Sequence, residues 1–324
     1  LQHTLKPTDA TRLVWGIGVR KDEIKLPFAT NTNASFHSTL HRVFGNLEWR
    51  MFNQFTLNLG ALFEHNSALA HNDFSPRLAL NYRLTDDHGL RFIVSRDSRS
   101  PTLAEVHLDT RLTNPVFSDR IIRADDTLLH EKAHYFEFGY YGQFFVRKVT
   151  ADFKVFRQEF FRLMGIRRTA PAADADGSVL VLGNTAKAVS EGYELQVDFR
   201  PLRHSMLRFG YSHVHISTDK PAEGFHVSAP DDSFSILASH TFPGGWRLGS
   251  AFYYRTGMEF LGPSDPLGPY KRLDIMAGKT FKLSGKDQVS VAITQQFALD
   301  KNQDYTDESV FDNRSFIELT YSHE

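Results

Sequence analysis

From Phe74 to Arg96 apolar and polar residues alternate with a period of two. Leu78, Leu80, Tyr82 and Leu84 are interleaved with Arg77, Ala79, Asn81 and Arg83. The run Thr85-Asp86-Asp87-His88-Gly89 turns the chain, and Leu90, Phe92 and Val94 then alternate with Arg91, Ile93 and Ser95. A period of two belongs to a strand, so the segment reads as a hairpin with one apolar and one charged face. In a water-soluble sandwich the apolar face would meet a core and the charged face bulk water. In a membrane barrel the apolar face meets lipid and the charged face a polar lumen. The number of repeats, and what joins them, separates the two.

The pattern recurs in about fourteen strands of roughly ten residues, the length a tilted membrane strand needs. Leu13, Trp15, Ile17 and Val19 oppose Arg12, Gly16, Gly18 and Arg20; Phe136, Phe138 and Tyr140 oppose Glu137, Gly139 and Tyr141; Tyr193, Leu195 and Val197 oppose Glu194, Gln196 and Asp198. For Phe234–Phe242 the pattern does not decide whether Ile236 or Leu237 takes the apolar side. The connections alternate in length. Short ones fall near Asn53, Asp86, Arg147, Leu202, Gly244 and Gly285, the last within Ser284-Gly285-Lys286-Asp287. Between them lie Lys21–Thr39, His65–Asp73, Asp97–Glu131, Arg167–Asn184, Thr218–Asp232, Gly257–Pro269 and Asp300–Asn313, which carry charge, Pro and Gly. A sandwich has no reason to sort loops by parity; a barrel with short periplasmic turns and long extracellular loops does. The expected fold is therefore all-β, an antiparallel transmembrane β-barrel over 1–324, with both chain ends on the short-turn side because the strand count is even.

The charged face must look inward. Glu48 shares a face with Arg50, Asp152 with Lys154 and Asp198 with Arg200, and lipid would penalise each Arg or Lys at mid-depth by ~2–4 kcal/mol. Several positions on that face are glycine, among them Gly16, Gly18, Gly60, Gly139, Gly210 and Gly249. They fit either curvature of the wall or room for something held inside it.

Composition changes the picture in few places. Mean hydropathy is −0.35 and no apolar run approaches the ~20 residues of a membrane helix; an alternating barrel passes unseen by that test. Cysteine is absent, which excludes disulfides, thiol catalysis and cysteine zinc sites. A net charge near −1 gives no support to nucleic-acid binding. Leu1–Asp9 lacks the basic start and apolar stretch of a secretory signal, so an export signal would lie upstream. Trp15, Trp49 and Trp246 read as interfacial anchors.

Three segments carry a family resemblance. Phe74-Ser75-Pro76-Arg77 precedes a short hairpin and then Ser95-Arg96-Asp97-Ser98-Arg99-Ser100-Pro101-Thr102-Leu103-Ala104-Glu105; Leu129-His130-Glu131 leads into Tyr135-Phe136-Glu137-Phe138-Gly139; and Asn184-Thr185-Ala186 leads into Glu191-Gly192-Tyr193-Glu194-Leu195. In order and spacing these resemble the barrel of TonB-dependent outer-membrane receptors across Phe74–Pro201. The resemblance implies a receptor and transporter in the cell outer membrane for a siderophore-like or other scarce small molecule, in contact with outer-membrane lipid. It implies energy delivered by the inner-membrane protein TonB through a plug domain. That family has about twenty-two strands, within the range of plugged transporters, begins with the plug and usually ends in an aromatic. This chain shows neither plug nor aromatic end, so it reads as the C-terminal part of a longer receptor, or as a smaller relative.

Candidate ligand-binding residues are Arg91, Arg96, Arg99, Tyr135, Glu137 and Tyr141, with a lumenal salt-bridge lattice as the competing role for the arginines. His213 and His215, with His226 nearby, have spacing that a metal could use, though fifteen histidines produce such pairs by chance. Asp125-Asp126 and Asp231-Asp232 could hold calcium or be solvated loop tips. No spacing groups Ser, His and Asp into a hydrolase site, so no enzyme, cofactor or metal centre is expected. A porin for diffusion or polysaccharide export, and a barrel lipase or protease, are the rival readings.

Overall fold

The structure, a computed structural model, describes residues 1–324 except 70, 114–117, 170–177, 260–265, 284–285, 301, 304–309 and 324. The expected turn at Ser284-Gly285 and parts of five expected long loops therefore lie outside the described residues.

The chain forms β1 (Gln2–Thr8), β2 (Thr11–Ile24), α1 (Pro27–Thr30), β3 (Phe36–Phe52), β4 (Phe55–Asn66), β5 (His71–Arg83) and β6 (His88–Arg99). Next come α2 (Leu103–Val106), β7 (Asp109–Thr113), β8 (Ser118–Ala124), β9 (Glu131–Phe144), β10 (Val149–Arg168), β11 (Leu180–Phe199) and β12 (Ser205–Thr218). Then follow β13 (Asp232–Thr241), β14 (Trp246–Arg255), a small pair β15 (Met258–Glu259) and β16 (Pro266–Leu267), β17 (Tyr270–Lys282) and β18 (Asp287–Ala298). A second small pair, β19 (Asn302–Gln303) and β20 (Val310–Phe311), precedes β21 (Arg314–His323). Seventeen strands share one sheet. Its wall is a meander in which each long strand pairs antiparallel with the next long strand in sequence, β6 passing over the β7–β8 hairpin to pair with β9.

All fourteen alternating segments are strands of this wall, joined by short turns at one rim and long connections at the other. Three expectations need correction. Leu1–Asp9 is largely β1, antiparallel to β2, so the wall has one strand more and its two ends do not share a rim; Pro7, which cannot donate to a ladder, is tolerated because β1 is an edge. Arg167–Asn184 is not all loop: Ile166 pairs with Leu182 and Arg168 with Leu180, because a backbone ladder can continue where the side chains no longer alternate. Asp97–Glu131 holds a helix and a hairpin whose second strand lies parallel to the top of β11.

The two faces of the wall differ as the alternation demands. Phe136 and Phe138 are 44% and 46% exposed, while Glu137 between them is 7% exposed. The row Phe209, Ile236, Phe252 lies on the outward face, which settles Phe234–Phe242: Leu237 points inward between Arg208 and Ala251. A compact protein of 37.0 kDa would expose about 14,000 Å², whereas this chain exposes 20101 Å². The largest fully buried side chains are His130, Val179 and Val181, so the molecule is a wall, not a packed core. Trp246 and Trp49 stand near short-turn strand ends, and Trp15, opposite Gly45, lies four residues further along the wall than Trp49. Among the described residues β1 and β21 are not paired with each other, and Ile317 and Leu319 on β21 are 78% and 72% exposed.

Candidate functional site

The inward face carries a charged patch halfway along β6, β9, β10 and β11. Arg91 Nε donates to Glu137 Oε1 at 2.5 Å, and its Nη2 lies 3.6 Å from Asp152. The Tyr135 hydroxyl donates to the other Glu137 oxygen at 2.5 Å. The guanidinium fits because residue 139 is glycine: a Cβ there would come within 3.0 Å of Arg91 Nη2. Close approach, rather than curvature alone, thus accounts for this glycine. One strand further, Lys154 pairs with Glu194 at 2.9 Å.

Arg91, Asp152, Lys154 and Glu194 edge a cavity of about 790 Å³ that reaches Tyr253 and Tyr270. Aromatic faces there are topped by cations, Arg272 at 4.5 Å over Tyr253 and Arg255 at 5.5 Å over Tyr270. A cavity of this size is in the range that holds a small molecule, and charged edges with aromatic faces suit a polar, aromatic or anionic one.

Of the six candidate residues, the structure brings together Arg91, Tyr135 and Glu137. Tyr141 is on the same face but lower, where its hydroxyl accepts from Gln143 at 2.7 Å beside a separate recess edged by Arg147, Asp198 and Arg200. Arg96 does not belong with the other arginines. It pairs with His134 in a regular ladder and takes the parity of Phe92 and Val94, so it faces outward. Asp152, Lys154 and Glu194 were absent from the candidates, although extending the row from Arg91 through Gly139 reaches Lys154 and Glu194.

Arg99 sits at the long-loop rim in a second arrangement, a knot where the three resemblance segments meet. Its guanidinium donates to Glu131 at 2.5 Å and to Glu105 at 3.2 Å. Glu131 also accepts from the Met164 amide at 2.7 Å. Glu105 accepts from the Thr102 amide while Thr102 caps it in return, a reciprocal capping box that starts α2. Asn184 accepts from the Leu129 amide at 2.7 Å and donates to the Arg162 carbonyl at 2.6 Å, where Arg162 has φ 59° in a bulge of β10. The hydrogen bond to Glu131, then its charge and that of Glu105, raises the Arg99 pKa. These residues hold the long connection onto the wall.

Beside the knot, Asp73, Ser100 and His130 gather, but hydroxyl and carboxylate both address His130 Nδ1. A nucleophile relay needs the two ring nitrogens to serve different partners, so this is a buried polar contact. Burial, with His71, Lys132 and Arg162 close by, pushes the His130 pKa down to about 4. The other tempting groups are also engaged. Asp232 accepts from His213 at 2.9 Å and Tyr211 at 2.6 Å on the outward face, within an aromatic belt that includes Tyr193 at 5.4 Å from His213. Asp125 binds Thr127 and Arg167, contacts that lower its pKa, the threonine hydrogen bond most. Among the described residues no three His, Asp or Glu side chains cluster as a metal site.

With this geometry in hand, known proteins can be compared. Residues 8–294 match the family model described as TonB dependent receptor-like, beta-barrel. The siderophore receptor PirA of Acinetobacter baumannii superposes with a TM-score of 0.74 at 14% identity, over 98% of this chain and 53% of that one. The ferric enterobactin receptor PfeA of Pseudomonas aeruginosa gives 0.73 at 13% identity, over 99% and 52%. The FrpB iron transporter of Neisseria meningitidis gives 0.68 at 14%, over 90% and 49%. The chain thus spans about half the length of the solved structures it matches. No curated protein matches it.

Proposed function

The chain belongs to the TonB-dependent receptor β-barrel family, and from that premise we propose that it forms most of the barrel wall of an outer-membrane receptor importing a siderophore-like ligand. The observation that carries this reading is the pairing of an apolar, exposed outward face with an inward cavity edged by Arg91, Lys154 and Glu194. The long loops form the outer mouth and the short turns face the periplasm. Ligand moves inward past the cavity, and TonB supplies the energy through a plug lying outside this chain. Among the described residues β1 and β21 are not paired with each other, and the chain spans about half of the receptors it matches, which supports a wall completed by further strands.

The test uses the full-length protein in cells starved of iron. Uptake of ferric siderophore should require both this protein and TonB, and the lumen should show no steady conductance in a planar bilayer. Ligand-independent conductance, with uptake indifferent to TonB, would replace the receptor by a porin. Mutation of Lys154 or Glu194 should lower ligand affinity while the protein still reaches the membrane.

A further inference from the structure

Charged side chains are expected on the inward face, yet Lys279 takes the outward parity, with Ile275 and Ala277 on its own strand. It stands three residues from the end of β17 at Lys282, about 10 Å along the strand at the usual rise. That depth is where acyl chains give way to headgroups. Its ammonium lies 4.6 Å from the Trp246 ring and 5.3 Å from the Phe281 ring. Two aromatic faces therefore hold the cation in place.

What it lacks is a counter-charge. Among the described residues no carboxylate pairs with Lys279, and no hydrogen-bond acceptor is found for the Trp246 indole N–H. The nearest acid of the outward face on the neighbouring strand is Asp287, already bound by Tyr321 and His323 at 2.7 Å each. His240, on the same face, is taken by Ser205 at 2.6 Å. Two donors thus stand together at the rim without protein acceptors. Around them Phe242, Leu248 and Leu283 are 42%, 48% and 54% exposed, an apolar surface suited to acyl chains. The ligand that matches is amphiphilic, with a negatively charged acceptor at headgroup depth and hydrocarbon beside it.

We propose that Trp246, Lys279 and Phe281 form a binding site for the phosphate of an anionic glycerophospholipid in the leaflet nearest the short turns. The proposal rests on the membrane reading above. In it the lipid phosphate accepts from the ammonium and the indole N–H, while the rings keep the lysine from folding back to water.

The experiment places the full-length receptor in phosphatidylcholine vesicles. A fixed fraction of the lipid is replaced by bromine-labelled phosphatidylglycerol or, separately, by bromine-labelled phosphatidylcholine. Emission of Trp246 is taken as the difference between the wild-type protein and Trp246→Phe. Brominated phosphatidylglycerol should quench that emission several-fold more steeply than brominated phosphatidylcholine. Lys279→Gln should abolish the difference while leaving quenching by phosphatidylcholine unchanged, and Lys279→Arg should keep it. Equal quenching by the two lipids in the wild type overturns the site but leaves the membrane reading intact. Quenching by neither lipid overturns the membrane reading itself.

Discussion

Arg99 and Arg91 lie on the same strand, share its inward face, and each reaches two carboxylates. At the rim, both partners of Arg99 also accept from backbone amides, Glu131 from Met164 and Glu105 from Thr102, and are only 16% and 26% exposed. Halfway along the wall, Glu137 is similarly consumed by Arg91 and Tyr135, but Asp152 and Glu194 remain 39% and 43% exposed toward the cavity. Residue type and parity are therefore the same in both places. What separates a structural network from a binding surface is the unspent hydrogen-bonding capacity of the partners. The rim arginine organises the long connection, and the mid-wall row keeps part of its carboxylate surface exposed to the cavity, as the proposed ligand site requires.

The sharpest way to break this comparison is to remove Glu131. Glu131→Ala leaves the Met164 amide without its acceptor and takes from Arg99 one of its two carboxylates, Glu105 remaining, and losses of charged hydrogen bonds of this kind cost ~1.5–3 kcal/mol. The temperature at which the folded band disappears on semi-native gels should fall clearly, with ligand affinity in surviving folded protein little changed. An unchanged transition would mean that the knot is not holding the connection.

Acid provides the next test. Because His130 titrates at about 4 when folded against ~6.5 unfolded, both states are neutral above pH 6.5 and the contribution is complete there. Below pH 6.5 the unfolded chain takes up the proton first, so stability declines until the folded imidazole also protonates near pH 4. A thermal-stability profile should bend downward across that window, and His130→Asn should flatten the bend. A profile rising toward acid would contradict the burial of a neutral histidine.

Lys154→Gln is expected to do the reverse of Glu131→Ala. Its ion pair is partly exposed, so stability should move by less than ~1 kcal/mol, while ligand affinity in equilibrium titration drops about tenfold, or ~1.4 kcal/mol. A stability loss with unaltered affinity would assign this row to the structural lattice.

The smallest expected change is a gain. In the turn between β9 and β10, Phe145, Val146 and Arg147 all have positive φ, 53°, 56° and 64°, a region that disfavours a β-branched residue. Val146→Gly should raise the unfolding temperature by the equivalent of ~0.5–1 kcal/mol, since Val146 is 97% exposed and has no packing to lose. Because this turn lies far from both arginine clusters, the change should add independently to the others.

Much of the wall was legible because a strand's two faces are written directly into alternate residues. Loop parity then chose between lipid and a soluble core. Legibility failed where alternation stops carrying information. Toward the long-loop ends of β10 and β11 both faces carry polar residues, so Arg157 and Glu191 pair on the outward face at 2.7 Å and the strands look like loop. The same blindness hid β1, a polar edge, and the short helix and hairpin within Asp97–Glu131. Arg96 was grouped with Arg91 and Arg99 by proximity in sequence, although the odd–even count already assigned it to the other face.

By itself, then, the amino-acid order determined the strand-rich wall, the sidedness of nearly every segment and the sorting of short turns from long loops, because each depends on neighbours one or two residues apart. Tertiary structure alone decided which paired charges are closed off and which stay exposed to the cavity. That Glu131 is saturated by Arg99 and the Met164 amide, while Glu194 still faces a cavity, depends on register between strands dozens of residues apart, and no local pattern encodes that distance.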